Sequence, residues 1–335
     1  MSKKPPTILV TGGAGYIGSH MVRMLCDQGY RPVVIDNLST GYRSFVPKGV
    51  PFITCDVRNR KALDKVFTKY AFDAVVHFAA KLCVPESVEK PEAYYDTNVV
   101  GSLRLVEAMC AHDVKRIVFS STAAVYGNAG NKPVKESMPV CPENPYGRTK
   151  HVIEQLVDDV AQSQKLSYVS LRYFNVAGTD ATCKSGVRGD HVTALVPSLM
   201  RAASGRIKRF VLYGDDYPTK DGSCVRDYIY VNDLCRAHIA SLKLILRRNT
   251  REIINLGTRT GTSVKAVYDM ASEVIGKKIP VRVAKRRAGD PASVVADYAK
   301  AEKILGWKPA ATLKTMIETA WAWEQAEVNG SGNTQ

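Results

Sequence analysis

The chain has 335 residues, 45% hydrophobic and 24% charged, with a formal net charge of +15 at pH 7. Those proportions exclude a disordered, collagen-like or disulfide-stapled chain, and the length suits one large domain or two smaller ones. No run approaches the ~20 apolar residues that cross a bilayer, and residues 1–7 run straight into an apolar strand, so no secretory signal is expected. The eight cysteines (Cys26, Cys55, Cys83, Cys110, Cys141, Cys183, Cys224, Cys235) show no C-x-x-C pair and no zinc-like spacing. They read as reduced thiols of a cytoplasmic protein without a metal. Basic clusters at 201–209, 247–251 and 277–287 lack interleaved aromatics and any nucleic-acid motif. They read as solvated surface that draws an anionic ligand, not as a nucleic-acid site.

In chain order, 7–11 reads as a strand, 17–28 as a helix and 31–36 as a second strand. Strands follow at 52–55, 74–78, 116–120 and 167–172, with helices at 98–112 and 146–164 among the segments between them. This alternation predicts an α/β, Rossmann-like, doubly wound parallel sheet. After residue 175 the pattern loosens. Residues 179–190 and 213–225 read as loops, 313–327 as a helix carrying Trp321 and Trp323, and 331–335 as a frayed end. The expected division is a Rossmann-like domain over 1–176, to which 224–257 returns, and a smaller mixed α/β domain over 177–330.

Between the first strand and the first helix lies Thr11-Gly12-Gly13-Ala14-Gly15-Tyr16-Ile17-Gly18. Glycines there let the backbone turn tightly and approach a pyrophosphate, while the helix N-terminus offers unpaired N–H groups. Asp36 ends the second strand, placed to accept from an adenosine ribose, and its charge disfavours a 2′-phosphate, which favours NAD over NADP. Asp56-Val57 follows the third strand and either bounds the adenine or caps the next helix. Phe78-Ala79-Ala80 follows the fourth, where small residues admit a cofactor or simply pack closely. A further strand ends at Ser120-Ser121-Thr122-Ala123-Ala124, on the side where such sheets hold ligands. Tyr146 and Lys150 stand at i and i+4, on one face of a helix. The neighbouring cation is expected to lower the phenol's pKa from ~10, making a proton shuttle for a sugar or alcohol hydroxyl.

With the glycine motif, Thr122, Tyr146 and Lys150 resemble the triad of the extended short-chain dehydrogenase/reductase superfamily. Further blocks narrow the resemblance: Asp36-Asn37-Leu38, His77-Phe78-Ala79, Tyr94-Tyr95-Asp96 with Asn98, Arg172-Tyr173-Phe174-Asn175, Asp216-Tyr217-Pro218-Thr219, Val225-Arg226-Asp227-Tyr228 and Asn255-Leu256-Gly257. Together they resemble the UDP-glucose 4-epimerase family over residues 7–323. The resemblance implies an isomerase with tightly bound NAD. Gly12, Gly15, Tyr16, Ile17 and Gly18 would lie along the cofactor, with Asp36, Asn37, Ser39 and Thr40 after the second strand and Asp56 and Val57 after the third. Phe78, Ala79, Ala80, Asn98 and Ser120 would continue that lining, completed by Tyr146, Lys150 and Tyr173. It also implies that Asn175 and Arg226 hold the diphosphate of a UDP-hexose, that Tyr213 sits against the uracil, and that Arg287 and Asp290 close the far side. Phe174, Ala194, Leu195 and Val294 would join Thr122 and Tyr146 around the substrate. The residues alone leave Arg226 as an ion-pair partner of Asp227 and Tyr213 as a core residue as alternatives.

The chain departs from the family pattern in places. Thr122 stands where Ser is common. Leu82, with Lys81 beside it, stands where some members carry a cofactor lysine. Ala194 and Val294 stand where Asn and Tyr occur in some members, which would enlarge the sugar pocket enough for an N-acetyl group. A nucleotide-sugar 4,6-dehydratase needs an acid and a base where this chain has Ala123 and Ala124, and a decarboxylase would want a carboxylate there. A simple alcohol dehydrogenase leaves the blocks at 172–175 and 225–228 unexplained. A non-catalytic NAD-binding protein leaves Thr122, Tyr146 and Lys150 unexplained. The segments 91–112 and 145–164 are amphipathic, and the resemblance pairs them across a two-fold axis as a homodimer.

Overall fold

In the computed structural model, which describes residues 4–130, 132–189, 192–287 and 290–331, the alternation resolves into one seven-stranded parallel sheet. Its strands are β1 (Thr7–Thr11), β2 (Arg31–Asp36), β3 (Phe52–Thr54), β4 (Ala74–His77), β5 (Arg116–Ser120) and β6 (Ser167–Tyr173), with Arg251–Leu256 as the seventh. The spatial order is the seventh strand, β6, β5, β4, β1, β2, β3. The chain winds outward from β1 to β3, then returns to lay β4 on the other side of β1. Between β1 and β4, loops leave in opposite directions and open a crevice at the strand C-termini.

The strands are apolar without interruption because helices cover both faces, yet their side chains still alternate with the pleat. Ile8, Val10, Val34, Val76, Val118 and Val169 enter one core, packed with the helices Tyr16–Asp27 and Val231–Arg247. Leu9, Ile35, Val75, Ile117, Phe119 and Tyr168 enter the other, with the helices Arg60–Lys69, Gly101–Ala111 and Pro145–Gln164.

A third apolar cluster gathers the helices Leu195–Ser204, Val264–Ile275 and Leu313–Ser331. Four short pairings accompany it: Phe210–Tyr213 with Val281–Ala284, Tyr228–Tyr230 with Asn175–Ala177, and Val225–Arg226 with both Thr262–Ser263 and Ser293–Val294. These strands of two to four residues lie in the half where the sequence pattern loosens, because runs so short carry no periodicity. The loop expected over 213–225 is therefore bounded by strands at both ends. The helix expected from 98 begins earlier: Pro91–Tyr94 is α-helical, Tyr95–Val100 is π-helical and Gly101–Ala111 resumes the α form. The terminal helix runs on to Ser331, and the rest of the expected frayed end lies outside the described residues, as does Asp190 of the loop at 179–190.

Candidate active site

The crevice between β1 and β4 is built from backbone. Gly12 has φ +68, and a Cβ there would stand 2.7 Å from the Ala79 nitrogen and 2.9 Å from its Cα. The two loops approach so closely that no side chain fits between them. A Cβ on Gly18 would stand 2.2 Å from the Gly12 carbonyl oxygen, so the helix packs directly on its own entry turn. Gly15 is the N-cap and contributes no side-chain cap bond, which leaves the first N–H groups of the Tyr16–Asp27 helix to meet a diphosphate. This cradle fits a dinucleotide pyrophosphate.

Asp36 is buried at the end of β2 and accepts from the Ala14 N–H (3.0 Å) and the Leu38 N–H (2.8 Å). Burial pushes its carboxyl above the ordinary value and these bonds pull it down. Leu38 turns through φ +59 to make its bond. Gly41 packs the following loop back onto this corner, since a Cβ there would lie 3.0 Å from Asp36 Oδ1; no motif marks it in the sequence. Asn37, Ser39 and Thr40 are exposed along the rim, and Asn37 donates to Asp56 Oδ2 at 3.0 Å. Asp56 does not cap the next helix; Asn59 does. Instead Arg58 grips both its oxygens, at 3.0 and 2.8 Å, and holds its carboxyl well below the usual range. Val57 and Ile17 turn their side chains into the two cores, which leaves only their backbones for a ligand. Tyr16 donates its hydroxyl to the Gly178 carbonyl and ties the glycine turn to the other half of the chain.

A chain of buried hydrogen bonds fixes β4. Ser102 donates to the Asn98 carbonyl (2.5 Å), so His77 Nε2 donates to Ser102 (2.9 Å) and its Nδ1 accepts from Thr11 (2.6 Å). Burial holds His77 neutral, with its pKa pushed down to about 3. Asn98, inside the π-helical turn, accepts from the Lys81 N–H (2.8 Å) and donates to the Lys81 carbonyl and to Thr149 (3.1 Å each). It brackets the loop after β4 to the helix that carries Tyr146. The Lys81 ammonium is turned away onto Glu86 at 3.1 Å, and Leu82 is 69% exposed. Phe78 lies against His238, with ring centroids 4.8 Å apart, and Ala80 follows half-buried.

Thr122, Tyr146 and Lys150 come together at the C-terminal end of β5. The helix Pro145–Gln164 starts there because Asn144 caps it, accepting from the Gly147 N–H at 2.9 Å, and Pro145 fixes its first turn. Thr122 is buried, accepts from the Ala124 N–H at 3.1 Å, and its hydroxyl lies near enough to Tyr146 to act on the phenol. Lys150 is buried, donates to the Ser120 carbonyl at 2.8 Å and lies 4.9 Å from the Phe119 ring centre. Ser120 and Tyr173 share a 2.6 Å hydroxyl contact beside them. One expectation is overturned. The Tyr146 phenol lies above its ordinary pKa, because burial raises it more than the Thr122 hydroxyl lowers it. Lys150 is not among the causes. Its own burial outweighs the attraction of Glu154 and pushes it down to about 7, so it carries its charge only in part at neutral pH.

The residues expected around the substrate form a second group. Asn175 donates its backbone N–H and its amide to the Asp227 carbonyl (3.0 and 3.1 Å). Arg226 donates to the carbonyls of Val225 and Pro291 (2.9 and 2.8 Å) and stands 3.5 Å from Asp290. It is not paired with Asp227, which is buried under N–H groups of Thr258, Arg259 and Ala296. Tyr213 is exposed, not core, and the Arg287 guanidinium lies 3.9 Å over its ring. Val294 is in register with Arg226 and packs with Phe174 against Val125 and Tyr126, three and four residues after Thr122. Ala194 is exposed at the N-cap of the Leu195–Ser204 helix, and Leu195 is half-buried.

The crevice at a topological switch point, the glycine cradle and the acid at the end of β2 define a Rossmann-type nicotinamide-dinucleotide protein. Residues 8–257 match the NAD dependent epimerase/dehydratase family, and the chain belongs to that family. It is 45% identical to the UDP-glucose 4-epimerase of Halalkalibacterium halodurans over 324 residues, 96% of this chain and 97% of that one. Its fold is similar to that of the Bifidobacterium longum UDP-glucose 4-epimerase, solved with NAD+ and UDP, at TM-score 0.92 and 38% identity, covering 97% of this chain and 99% of that one. It is also similar to the UDP-Glc/GlcNAc 4-epimerase of Campylobacter jejuni, at TM-score 0.84 and 36% identity, covering 96% and 99%. The cofactor is NAD. Among the described residues no group of side chains is arranged to hold a metal, and no helix is long and apolar enough to cross a membrane.

Proposed function

We propose that this chain interconverts UDP-glucose and UDP-galactose by oxidising C4, turning the 4-keto sugar within the site and reducing it again. The observation that carries this reading is the meeting of Thr122, Tyr146 and Lys150 at the strand ends, with only Ala123 and Ala124 following Thr122. That set moves one proton and offers no second acid or base for elimination. Bound NAD supplies an acceptor for the C4 hydride and returns it. Gly12, Gly15 and Gly18 would admit its pyrophosphate, and Asp36 would accept from its ribose. Tyr146, in its deprotonated form, would take the O4 proton and give it back, Thr122 would share the substrate hydroxyl, and Lys150 follows Tyr146 by one helical turn. Asn175, Arg226, Tyr213, Arg287 and Asp290 would hold UDP firmly while the hexose, gripped by few polar groups, turns. Incubating the purified protein with UDP-galactose and no added cofactor should yield UDP-glucose, and denaturing it should release NAD. No product, or NADP in place of NAD, would overturn the proposal.

We infer a second class of substrate from the small side chain at 294. Val294 lies beside Phe174 in the cluster next to Thr122, and a Tyr-sized side chain there would fill space beside C2 of the sugar. The chain therefore accepts N-acetylated UDP-hexoses as well, as the name of the Campylobacter jejuni relative says of that enzyme. Val294→Tyr should lower kcat/KM for UDP-N-acetylgalactosamine at least tenfold, since steric exclusion is a strong filter, and leave UDP-galactose nearly unaffected. A wild type inactive on the acetylated sugar counts against this, as does a variant that loses nothing.

The same reading assigns 1–176 with 224–257 to NAD and 177–330 to the nucleotide sugar, in the cytoplasm, where free cysteines persist. It makes the protein a homodimer. Leu82, Val88 and Tyr95 are exposed apolar residues on the segments before the Gly101–Ala111 helix, which packs beside Pro145–Gln164. A monomer by light scattering at micromolar concentration would contradict the dimer.

A further inference from the structure

Glu154 follows Lys150 by one turn and has no place in the proton chemistry above, yet it is 3% exposed. Its carboxylate accepts from Ser121 Oγ at 2.5 Å and from Arg172 through two parallel bonds, 2.9 Å to Oε1 and 2.6 Å to Oε2. Ser121 is wholly buried between two residues of the site: the Ser120 carbonyl receives the Lys150 ammonium at 2.8 Å, and Thr122 lies near enough to Tyr146 to act on its phenol. Its N–H also donates to the Leu171 carbonyl at 2.9 Å. One carboxylate thus ties the Tyr146 helix, the end of β5 and strand β6 at a single point.

We infer that Glu154 is a positioning residue for the C4 oxidation proposed above: through Ser121 it sets the backbone that presents the Ser120 carbonyl to Lys150 and the Thr122 hydroxyl to Tyr146. A buried Arg–Glu pair by itself is weak evidence of a role, because apolar residues often replace one without loss. An apolar residue cannot hold the Ser121 hydroxyl, however, and proton transfer tolerates misplacement of only about half an ångström. Electrostatics adds a second consequence. Acting on Lys150 are Glu154 from its own helix and His77 from β4, with Tyr173 of β6 bonded to neighbouring Ser120, Arg172 behind Glu154 and His151 3.7 Å from the carboxylate. His77 is neutral, so Glu154 is the carboxylate in this group that favours the Lys150 cation against burial.

The test uses the purified holoenzyme with Ser121→Ala, which keeps the ion pair, and Glu154→Gln, which keeps the shape. Ser121→Ala should lower kcat about tenfold, in line with the cost of sub-ångström misplacement, with KM and bound NAD unchanged. Glu154→Gln should lower kcat and move the alkaline limb of its pH profile to lower pH, because the Lys150 cation loses its supporting charge. If Glu154→Gln does not fold, Ser121→Ala decides. Ser121→Ala with wild-type kcat, or with KM and NAD content falling alongside kcat as in general loosening, overturns the positioning role. A wild type that does not turn over UDP-galactose overturns the functional reading and this inference with it; a working wild type beside an unaltered Ser121→Ala overturns this inference alone.

Discussion

Tyr146 shows how far neighbouring side chains decide what one residue does. A tyrosine with a lysine one turn away invites the reading of a phenol primed by a cation, and both residues stand where that spacing puts them. Desolvation then acts on both: it lifts the Tyr146 phenol and lowers the Lys150 ammonium to about 7. In the free protein burial therefore disfavours the charged form of both groups. Tyr146→Phe removes one oxygen and little volume, so folding and NAD content should hold. Turnover should fall about 10²-fold or more, the usual scale for a general acid–base group. Near-normal kcat in that variant would take Tyr146 out of the mechanism.

At the scale of elements, the glycine turn and the loop after β4 act as one unit. Gly12 carries a positive φ and also faces the Ala79 backbone, so it has two independent reasons to lack a side chain. Gly12→Ala should force the loops apart and cost about 1–3 kcal/mol for the strained backbone alone. It should also strip NAD from the purified protein, whereas Gly29→Ala, at a positive φ but with nothing near its Cβ, should keep it. Cofactor content by absorbance after denaturation separates the two. The π-helical turn at Tyr95–Val100 is a second such unit. The extra residue in its turn aims Asn98 inward, where its amide joins the loop at Lys81 to Thr149. A helical period read from sequence does not foresee it, because the apolar pattern on either side is that of an ordinary helix.

At the scale of the whole molecule, several contacts bind the Rossmann half to the later half, among them two that involve His20 and Arg188. His20 reaches Thr179 at 3.0 Å, and Arg188 stacks over Tyr42, Phe45 and Trp323 while pairing with Glu327. His20, His77 and His238 are all buried, and burial lowers their pKa values to about 4, 3 and 4. In the unfolded chain each takes up a proton near pH 6.5; in the folded protein each stays neutral until much lower pH. Their contribution to stability is therefore whole above pH 6.5 and is lost as pH falls from there toward 4, at about 1.4 kcal/mol per unit of pKa difference for each group. The melting temperature should drop steadily between pH 7 and 5, before the carboxylates titrate. A flat Tm across that interval would mean these rings are solvated.

Much of this was legible in the sequence. The strand–helix alternation of the first half, the glycine run, Asp36 and the Tyr146–Lys150 spacing are local patterns, governed by backbone geometry over a few residues, and they place the crevice and most of the cofactor cradle. The resemblance adds Arg226, Tyr213, Arg287 and Val294, which the tertiary structure brings into two neighbouring groups. Other features depended on tertiary structure alone. Short strands such as Val225–Arg226 exist only because partners far along the chain complete them. Arg226 turns to Asp290 and Pro291, not to adjacent Asp227, because Asp227 is enclosed by three backbone N–H groups from segments at 258–259 and 296. The pKa directions of Tyr146 and Lys150 and the brace of Glu154, Ser121 and Arg172 follow from burial and from contacts across the sheet. Sequence spacing determines which groups share a helix face; how much water they lose, and which distant residue meets them there, is set only when the layers pack.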